Sequence, residues 1–370
     1  MVTQYPVRTI DLAALRANVR EICRQLPPKT ILMAVVKADA YGHGIIQVAR
    51  NVLKAGAAWL AVARTDEGLA LRQAGITAPI LVLGAASGEE IGEGVQNDLT
   101  LTVTDPRMVY AVQRWAAKAE KTGFVHLKIE TGMGRIGVRT EAEVEQMLTA
   151  LSQCPAVHLN GVFTHFADAD GASDEYTKMQ IERFKQLTAM LPEGVIRHCA
   201  NSAAIQRYPE AAFDMVRAGI SMYGYPPVPT EATLRPIMDW RTAVTYVKTI
   251  CRGDKVSYGC TFTAQGPMKL ATVACGYGDG YHRSASGRAD VIIRGVRCPV
   301  VGRVCMDQMM VDVSALADVE PGDEAVLIGQ SETATITAED LAAWCGTISY
   351  EVLLAATDRV HRRWINDCDE

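Results

Sequence analysis

Between residues 30 and 220, short apolar runs rich in β-branched residues alternate with stretches of helical periodicity. Eight of these runs are predicted strands: 31–37, 59–63, 79–84, 99–103, 125–130, 159–165, 195–199 and 215–219. Parallel strands need crossover connections, which helices usually supply. Eight strands that alternate with helices over this length predict a (β/α)₈ barrel.

Helix-start signals support this assignment. Asp105 precedes a helical stretch as an N-cap residue, and Thr140 is followed three residues later by Glu143, the spacing of a capping box. A further helix over 11–26 is predicted to precede the first strand.

From about residue 234 the pattern changes to closely spaced strand-like runs separated by turn residues. The segment YGYPPVP, which spans 223–229, is a plausible linker before it. One late helix is predicted in TAEDLAAWCG. The chain is therefore predicted to have an α/β fold, a (β/α)₈ barrel over 9–233 followed by a mostly-β C-terminal domain over 234–370.

Composition narrows the class of protein. The 370 residues are 49% hydrophobic and 21% charged, which is typical of a globular protein, and the net charge is −5. A negative net charge argues against nucleic acid or an anionic membrane as the partner. The ten cysteines include no CxxC pair, and we find neither a signal peptide nor a long apolar span. We expect a cytoplasmic enzyme without a metal site.

Charged and polar residues lie at the predicted strand ends, where barrels of this kind hold their active sites. They are Lys37, Lys128, Arg135, His165, Asn201, Ser202 and Arg217. A lysine at the end of an apolar strand is either a surface residue whose chain lies along the core or a nucleophilic amine, and we favour the amine.

Ser202, Gly219 and Ile220 follow the last two predicted strands, where such barrels commonly bind phosphate. A glycine there allows the backbone to approach an anion closely. Together with an amine at Lys37, a phosphate site indicates a phosphorylated aldehyde, and pyridoxal 5′-phosphate (PLP) is such a cofactor.

Other motifs are weaker. GMGRIG (132–137) has the GxGxxG spacing, but it follows the fifth predicted strand, so we interpret it as a turn that presents Arg135. His126 is interpreted as a core residue, and His165 is left open between a core and a site role. Cys305 is interpreted as a small residue near the site.

Nine segments together resemble the bacterial alanine racemases. They are AVVKADAYGHG, LKIETGMGRIG, GVFTHFADAD, NSAA, VRAGISMYG, VSYGCTFTA, GYGDGY, GRVCMDQ and ISYEV, in the order and at the spacing of that family. The resemblance implies PLP as cofactor, an amino acid as substrate and a homodimer with shared active sites. It also assigns residues 1–8 to the C-terminal domain.

The resemblance implies a role for each matching residue. Lys37 is the Schiff-base lysine and one of two bases, and Tyr258 is the second base, supplied by the other subunit. The remaining cofactor residues are Tyr41, Asn201, Ser202, Arg217, Gly219, Ile220 and Tyr350. Arg135 contacts cofactor and substrate, Lys128 holds Arg135 and is often carbamylated in the family, and His165 lies behind the tyrosine. Met306, Asp307 and Tyr277 are substrate-side residues of the partner.

The implied reaction is interconversion of L- and D-alanine, with D-alanine supplied for peptidoglycan. Two departures from the family pattern, RAGIS for RPGI and GYGDGY for GYADG, bear on rate and not on the reaction. The alternatives are a racemase of serine or of broad specificity, a PLP-dependent decarboxylase, and a non-catalytic PLP-binding protein. Arg217 argues against a decarboxylase, and the second domain with Tyr258 argues against a non-catalytic PLP-binding protein.

Overall fold

The computed structural model describes residues 6–367, which divide into two compact units. The barrel unit comprises residues 13–40 and 44–235, and the β-rich unit comprises 6–12, 41–43 and 236–367. The boundaries predicted at 9–233 and 234–370 with 1–8 stay a prediction. Residues 1–5 and 368–370 of that prediction lie outside the described residues.

Strands and helices alternate through the first part of the chain. They are β1 (Val7–Asp11), α1 (Leu12–Gln25), β2 (Ile31–Val35), α2 (Lys37–Gly42), α3 (Ile45–Lys54), β3 (Trp59–Val62), α4 (Thr65–Gln73), β4 (Ile80–Ala85), α5 (Glu89–Gln96), β5 (Thr100–Val103), α6 (Pro106–Ala119), β6 (Gly123–Lys128), α7 (Glu141–Ser152), β7 (Val157–Phe163), α8 (Glu175–Thr188), β8 (Ile196–His198), α9 (Ser202–Arg207) and β9 (Met215–Ala218).

Strands β2 to β9 form one parallel sheet in which β9 returns to pair with β2, for example Ile31 with Met215. Between β8 and β9 the backbone N–H groups of Asp214 and Arg217 donate to the carbonyls of Arg197 and Ala200. The eight predicted strands and the (β/α)₈ barrel are therefore confirmed.

The β-rich unit contains most of the remaining elements. They are β10 (Met238–Ile250), β11 (Lys255–Val256), β12 (Phe262–Thr263), β13 (Met268–Val273), β14 (Asp290–Ile293), β15 (Val296–Val301), β16 (Met309–Asp312), β17 (Glu324–Ser331), β18 (Ala334–Ile336), α10 (Ala338–Cys345), α11 (Ser349–Ala355) and β19 (His361–Ile365). A nine-stranded sheet has the order β18-β17-β14-β15-β16-β13-β10-β1-β19. The mostly-β second domain predicted from the sequence is confirmed.

Local signals position the helices as predicted in two places. The Asp105 side chain accepts from the N–H groups of Arg107 and Met108 at the start of α6, and Thr140 and Glu143 form the predicted capping box of α7. The late helix predicted in TAEDLAAWCG is present as α10, and a second helix that was not predicted, α11, follows it. Within the described residues, every helix is too short or too polar to cross a bilayer.

The ends of two barrel strands differ from the prediction. Strand β2 ends at Val35, two residues before Lys37, and β7 ends at Phe163, two residues before His165. Lys37 instead opens α2, in which the φ angles of residues 38–41 lie between 51° and 54°. This helix is therefore left-handed.

A left-handed turn of non-glycine residues is strained, at roughly 1–2 kcal/mol per residue, because each Cβ crowds the following carbonyl. It persists only where the surroundings fix it. In the barrel unit, Ala38 N–H donates to the Glu67 carboxylate at 2.5 Å and Ile45 N–H donates to Asp39 Oδ1 at 2.8 Å. In the β-rich unit, Arg8 donates to the Gly42 carbonyl at 3.1 Å.

Candidate active site

Arg217 is the centre of the polar cluster in the barrel unit. It lies on β9, is buried, and its guanidinium donates to the carbonyls of Thr164 at 2.8 Å and Cys199 at 3.0 Å. It also contacts a ring nitrogen of His198 at 3.0 Å and one of His165 at 3.3 Å. Burial lowers the pKa of Arg217 to about 10, so the group remains a cation at neutral pH.

This contact fixes the tautomer of His198. Arginine only donates hydrogen bonds, so Nδ1 of His198 must accept and its proton must lie on Nε2. That Nε2 lies 2.9 Å from Nδ1 of His126, which therefore accepts in turn. Nε2 of His126 is buried and has no hydrogen-bond partner among the described residues.

All three histidines are uncharged. Burial, together with the Arg217 charge, lowers the pKa of His126 to about 3 and holds those of His198 and His165 well below their usual value. His126 is thus a core residue, as its position in the sequence indicated, whereas no role was predicted for His198. The position of His198 at the end of a predicted strand was the signal that could have found it.

Two lysines lie near this cluster. Burial lowers the pKa of Lys37, as do the charges of Arg135 and Arg217, whereas Glu67 opposes the shift. Burial and Arg217 likewise lower the pKa of Lys128 to about 7. At neutral pH a larger fraction of each amine is therefore uncharged than in an exposed lysine. The uncharged form is the one that acts as a nucleophile or accepts a proton.

The loop after β6 presents Arg135, and Glu130 shapes it. The carboxylate accepts from the N–H groups of Gly132 at 2.6 Å and Arg135 at 2.9 Å. Burial alone would raise the pKa of Glu130, but these backbone donors outweigh it and the pKa is lowered. Glu130 was not predicted as a site residue, because its partners are backbone groups with no signature in side-chain type.

The segment predicted to bind phosphate is assembled around Ser202. Its hydroxyl oxygen accepts from the N–H groups of Gly219 at 2.9 Å and Ser221 at 3.5 Å, which brings the start of α9 to the residues that follow β9. Asn201 caps α9 by accepting from Ala204 N–H at 3.0 Å. The Gly219 N–H is thus occupied by Ser202, while the Ser202 hydroxyl keeps its own hydrogen to donate.

In the β-rich unit, the rings of Tyr41 and Tyr350 lie 6.0 Å apart between centroids. Burial raises the pKa of Tyr41, so this phenol remains a hydrogen-bond donor at neutral pH. Gly42 follows at φ 80°, and a Cβ there would lie 2.6 Å from the Leu353 carbonyl oxygen. Glycine is therefore required at this position for close packing against α11.

The predicted substrate-side residues also lie in the β-rich unit. Tyr277 N–H donates to the Cys305 carbonyl at 3.0 Å, and Gly278 N–H donates to the Met306 carbonyl at 2.8 Å. Arg359 contacts Asp279 at 3.1 Å and Asp307 at 2.7 Å, so one guanidinium joins both loops. Arg359 was not predicted as a site residue.

Tyr258 opens a short 3₁₀ turn, Tyr258–Cys260, in the same unit. Its side chain is 67% exposed, compared with 51% for Met306 and 40% for Tyr277. The preceding residue, Ser257, donates to the Arg303 carbonyl at 2.6 Å, which ties this turn to the loop between β15 and β16 that carries Met306. Three large side chains thus stand exposed on loops that are themselves held firmly.

Comparisons with known proteins give one family. The model of the alanine racemase N-terminal domain matches residues 10–227, and that of the alanine racemase C-terminal domain matches residues 237–364. The alanine racemase of Symbiobacterium thermophilum is 45% identical over 360 residues, which cover 95% of each chain.

Solved structures agree. The alanine racemase from D-cycloserine-producing Streptomyces lavendulae has a TM-score of 0.94 at 36% identity and covers 100% of this chain and 99% of its own. That of Bacillus anthracis with bound L-Ala-P has a TM-score of 0.92 at 37% identity, with 99% and 96% covered. A histidine racemase from Leuconostoc mesenteroides subsp. sake also matches, with a TM-score of 0.90, 28% identity and 99% of both chains covered.

Proposed function

The chain belongs to the alanine racemase family, and we propose that Lys37 and Tyr258 are the two bases with which it interconverts L- and D-alanine. It is an amino-acid racemase, and its cofactor is PLP. The observation that carries the proposal is the half-buried amine of Lys37, whose pKa is lowered by desolvation and by two arginines.

The residues present fit the cofactor. PLP requires a nucleophilic amine for its aldehyde and hydrogen-bond donors for its phosphate. Lys37 supplies the amine, and the Ser202 hydroxyl retains its hydrogen as a donor. In our proposal the phosphate is held by Tyr41, Asn201, Ser202, Gly219, Ile220 and Tyr350.

Arg217 suits a position facing the pyridine nitrogen. A guanidinium donates hydrogen bonds and does not accept them, so it would leave that nitrogen unprotonated. Its contacts with three carbonyls and two histidine rings fix the plane in which it donates. In our proposal Arg135 contacts both cofactor and substrate, and Lys128 supports it.

Racemisation requires a proton to leave one face of the α-carbon and to return on the other. When bound, PLP withdraws electrons from the substrate and so acidifies the α-hydrogen. Lys37 then takes or gives the proton on one face, and the Tyr258 oxygen does so on the other. His165 donates from its Nε2 to that oxygen, since Arg217 engages its Nδ1.

We propose further that Tyr258 acts in the site of a second copy of the chain, in a homodimer. The exposure of Tyr258, Met306 and Tyr277 supports this, because large side chains exposed together commonly mark an interface. Mixing the inactive variants Lys37→Ala and Tyr258→Phe tests it. In a shared arrangement the mixed dimer contains one site with both residues intact, so activity returns; if each chain uses its own tyrosine, the mixture stays inactive.

The substrate preference is tested by deuterium incorporation. We expect the PLP-loaded protein to exchange the α-hydrogen of L-alanine in D₂O and to remove its optical rotation, with much slower turnover of L-serine and L-histidine. Histidine is included because of the histidine racemase on the same fold. Faster turnover of serine or histidine would overturn alanine as the substrate, and absence of exchange would overturn the two-base proposal. A cytoplasmic role in supplying D-alanine for peptidoglycan completes the proposal.

A further inference from the structure

The carboxylate of Glu67 joins two parts of the barrel unit. Its Oε2 accepts from the N–H groups of Ala63 at 2.7 Å and Arg64 at 3.2 Å, at the start of α4. Its Oε1 accepts from Ala38 N–H at 2.5 Å, immediately after Lys37. One side chain therefore caps a helix with one oxygen and holds the first residue of the left-handed turn with the other.

The left-handed turn gives this second contact its importance. Ala38 has φ 52°, which an alanine avoids, and the direction of the Lys37 side chain depends on the backbone that leaves it. Without an acceptor for Ala38 N–H, the segment is expected to relax towards the more stable right-handed region. The amine would then spend less time in the geometry needed for attack.

We propose that Glu67 is a positioning residue for Lys37: by holding Ala38 in its left-handed conformation, it presents the amine for covalent attachment of PLP. This rests on the proposed role of Lys37 as the attachment site. In the attachment, the Lys37 nitrogen forms a bond to the aldehyde carbon and the carbonyl oxygen leaves as water, so no oxidant or reductant takes part.

Charge adds a second, separable effect. The groups that act on the Lys37 amine are Arg135 after β6, Arg217 on β9, His165 after β7 and Glu67 on α4. The histidine is uncharged, so Glu67 is the only anion in this set and it opposes the two arginines. Removal of its charge is expected to lower the pKa of Lys37 further and to move the acid limb of the attachment rate to lower pH.

The chain contains a matched control. Glu143 has the same place in α7 that Glu67 has in α4, and its Oε2 likewise accepts from the two N–H groups that precede its helix, those of Arg139 and Thr140. It makes no hydrogen bond to residues 37–42 among those described. The variants Glu67→Gln and Glu143→Gln therefore disturb equivalent helix caps, and only the first disturbs the turn after Lys37.

The experiment is stopped-flow absorbance of PLP binding to the cofactor-free full-length chain. On the high-pH plateau, where the amine is uncharged in both proteins, we expect Glu67→Gln to slow attachment about tenfold, the effect of one hydrogen bond to a charged acceptor. Glu143→Gln should stay within about twofold of wild type. Equal plateau rates for the two variants would overturn the proposal.

A second variant separates positioning from folding and from charge. Ala38→Gly removes the Cβ that penalises the left-handed turn, so in the Glu67→Gln background it should restore part of the plateau rate. If Glu67→Gln is slow and Ala38→Gly restores nothing, Glu67 does not act through this turn and the proposal is wrong. Borohydride reduction and peptide mapping test the premise independently, since PLP on a lysine other than Lys37 overturns the proposed function itself.

Discussion

The two units hold their site residues in opposite environments. In the barrel unit, Arg217, His198 and Lys128 are almost completely buried. Their hydrogen bonds include a guanidinium that can only donate and a backbone carbonyl that can only accept, so the direction of these bonds is fixed. In the β-rich unit, Tyr258, Tyr277 and Met306 extend from firmly held loops into open surroundings. The buried set is organised within one unit, whereas the exposed set depends on what covers it.

The difference follows from the chemistry required of each set. Burial changes the pKa of an amine or imidazole and strengthens each hydrogen bond, so groups that attach a cofactor benefit from it. A second base must approach the other face of a substrate, and an exposed side chain on a rigid turn can be supplied from outside. We therefore expect substitutions in the buried set to lower the free energy of unfolding, and substitutions in the exposed set to lower the activity.

The largest effect is expected at Tyr258. Tyr258→Phe should lower the rate of racemisation about 10³-fold in both directions, because general acid–base groups contribute about 10²–10⁴-fold. The ring is 67% exposed, so its hydroxyl contributes little to folding, and PLP should remain bound. Polarimetry with L- and D-alanine measures the first effect and cofactor absorbance the second. A variant with more than a tenth of wild-type activity would contradict the assignment.

The variant Arg217→Met is expected to lower the free energy of unfolding. It removes the donor to the buried carbonyls of Thr164 and Cys199, and each unsatisfied buried acceptor costs about 1–3 kcal/mol. We expect the free energy of unfolding of the cofactor-free chain to fall by about 3 kcal/mol in urea titrations. An unchanged midpoint would mean that the cluster relaxes around the shorter side chain.

Low pH is expected to lower the free energy of unfolding, because the buried set contains uncharged histidines. The pKa of His126 is about 3 in the folded protein and about 6.5 unfolded, so the unfolded chain binds more protons below pH 6.5. The contribution of His126 to the free energy of unfolding is complete above about pH 6.5. It falls by about 1.4 kcal/mol per pH unit as the pH decreases towards 3. Between pH 6.5 and pH 5, the free energy of unfolding should therefore fall by about 2 kcal/mol more in the wild type than in His126→Phe.

His158 provides the control for this measurement. It is itself an exposed residue of β7, so His158→Phe should keep the wild-type dependence of the free energy of unfolding on pH. A wild-type slope in His126→Phe would show that this ring does not titrate as its burial requires.

The smallest effect is expected at Arg359, which joins the loops of Tyr277 and Met306 through Asp279 and Asp307. Arg359→Met should raise KM for alanine by about fivefold at most, because the Arg359 side chain is half exposed in both ion pairs, and change kcat by less than about twofold. Arg297→Met is the control, because Arg297 also lies between two carboxylates, those of Asp290 and Asp340. Equal changes in KM for both variants would contradict a role for the joined loops.

The sequence predicted what depends on local periodicity or on matched motifs. The eight barrel strands, the caps at Asp105 and Thr140 and the position of Arg217 on the last barrel strand needed only the chain's own pattern. The left-handed turn after Lys37 could not be predicted, since residues 38–41 contain no glycine and distant acceptors hold them in place. The contacts of His198 and Arg359 were missed for the same reason, because their partners are close in space and not in sequence. Those of Glu130 were missed because its partners, although near in sequence, are backbone N–H groups.

The position of β1 has a consequence for synthesis of the chain. This strand pairs with β10 on one side and with β19 on the other, for example Val7 with both Arg241 and His361. Because β19 follows β1 at a long distance in the chain, β1 lacks this second neighbour during synthesis for a delay on the order of tens of seconds at about 5–20 residues per second. The barrel unit can complete its own sheet during that time, while the edge of β1 that pairs with β19 remains open to other nascent chains. Crowded polysomes are where such mispairing would first appear.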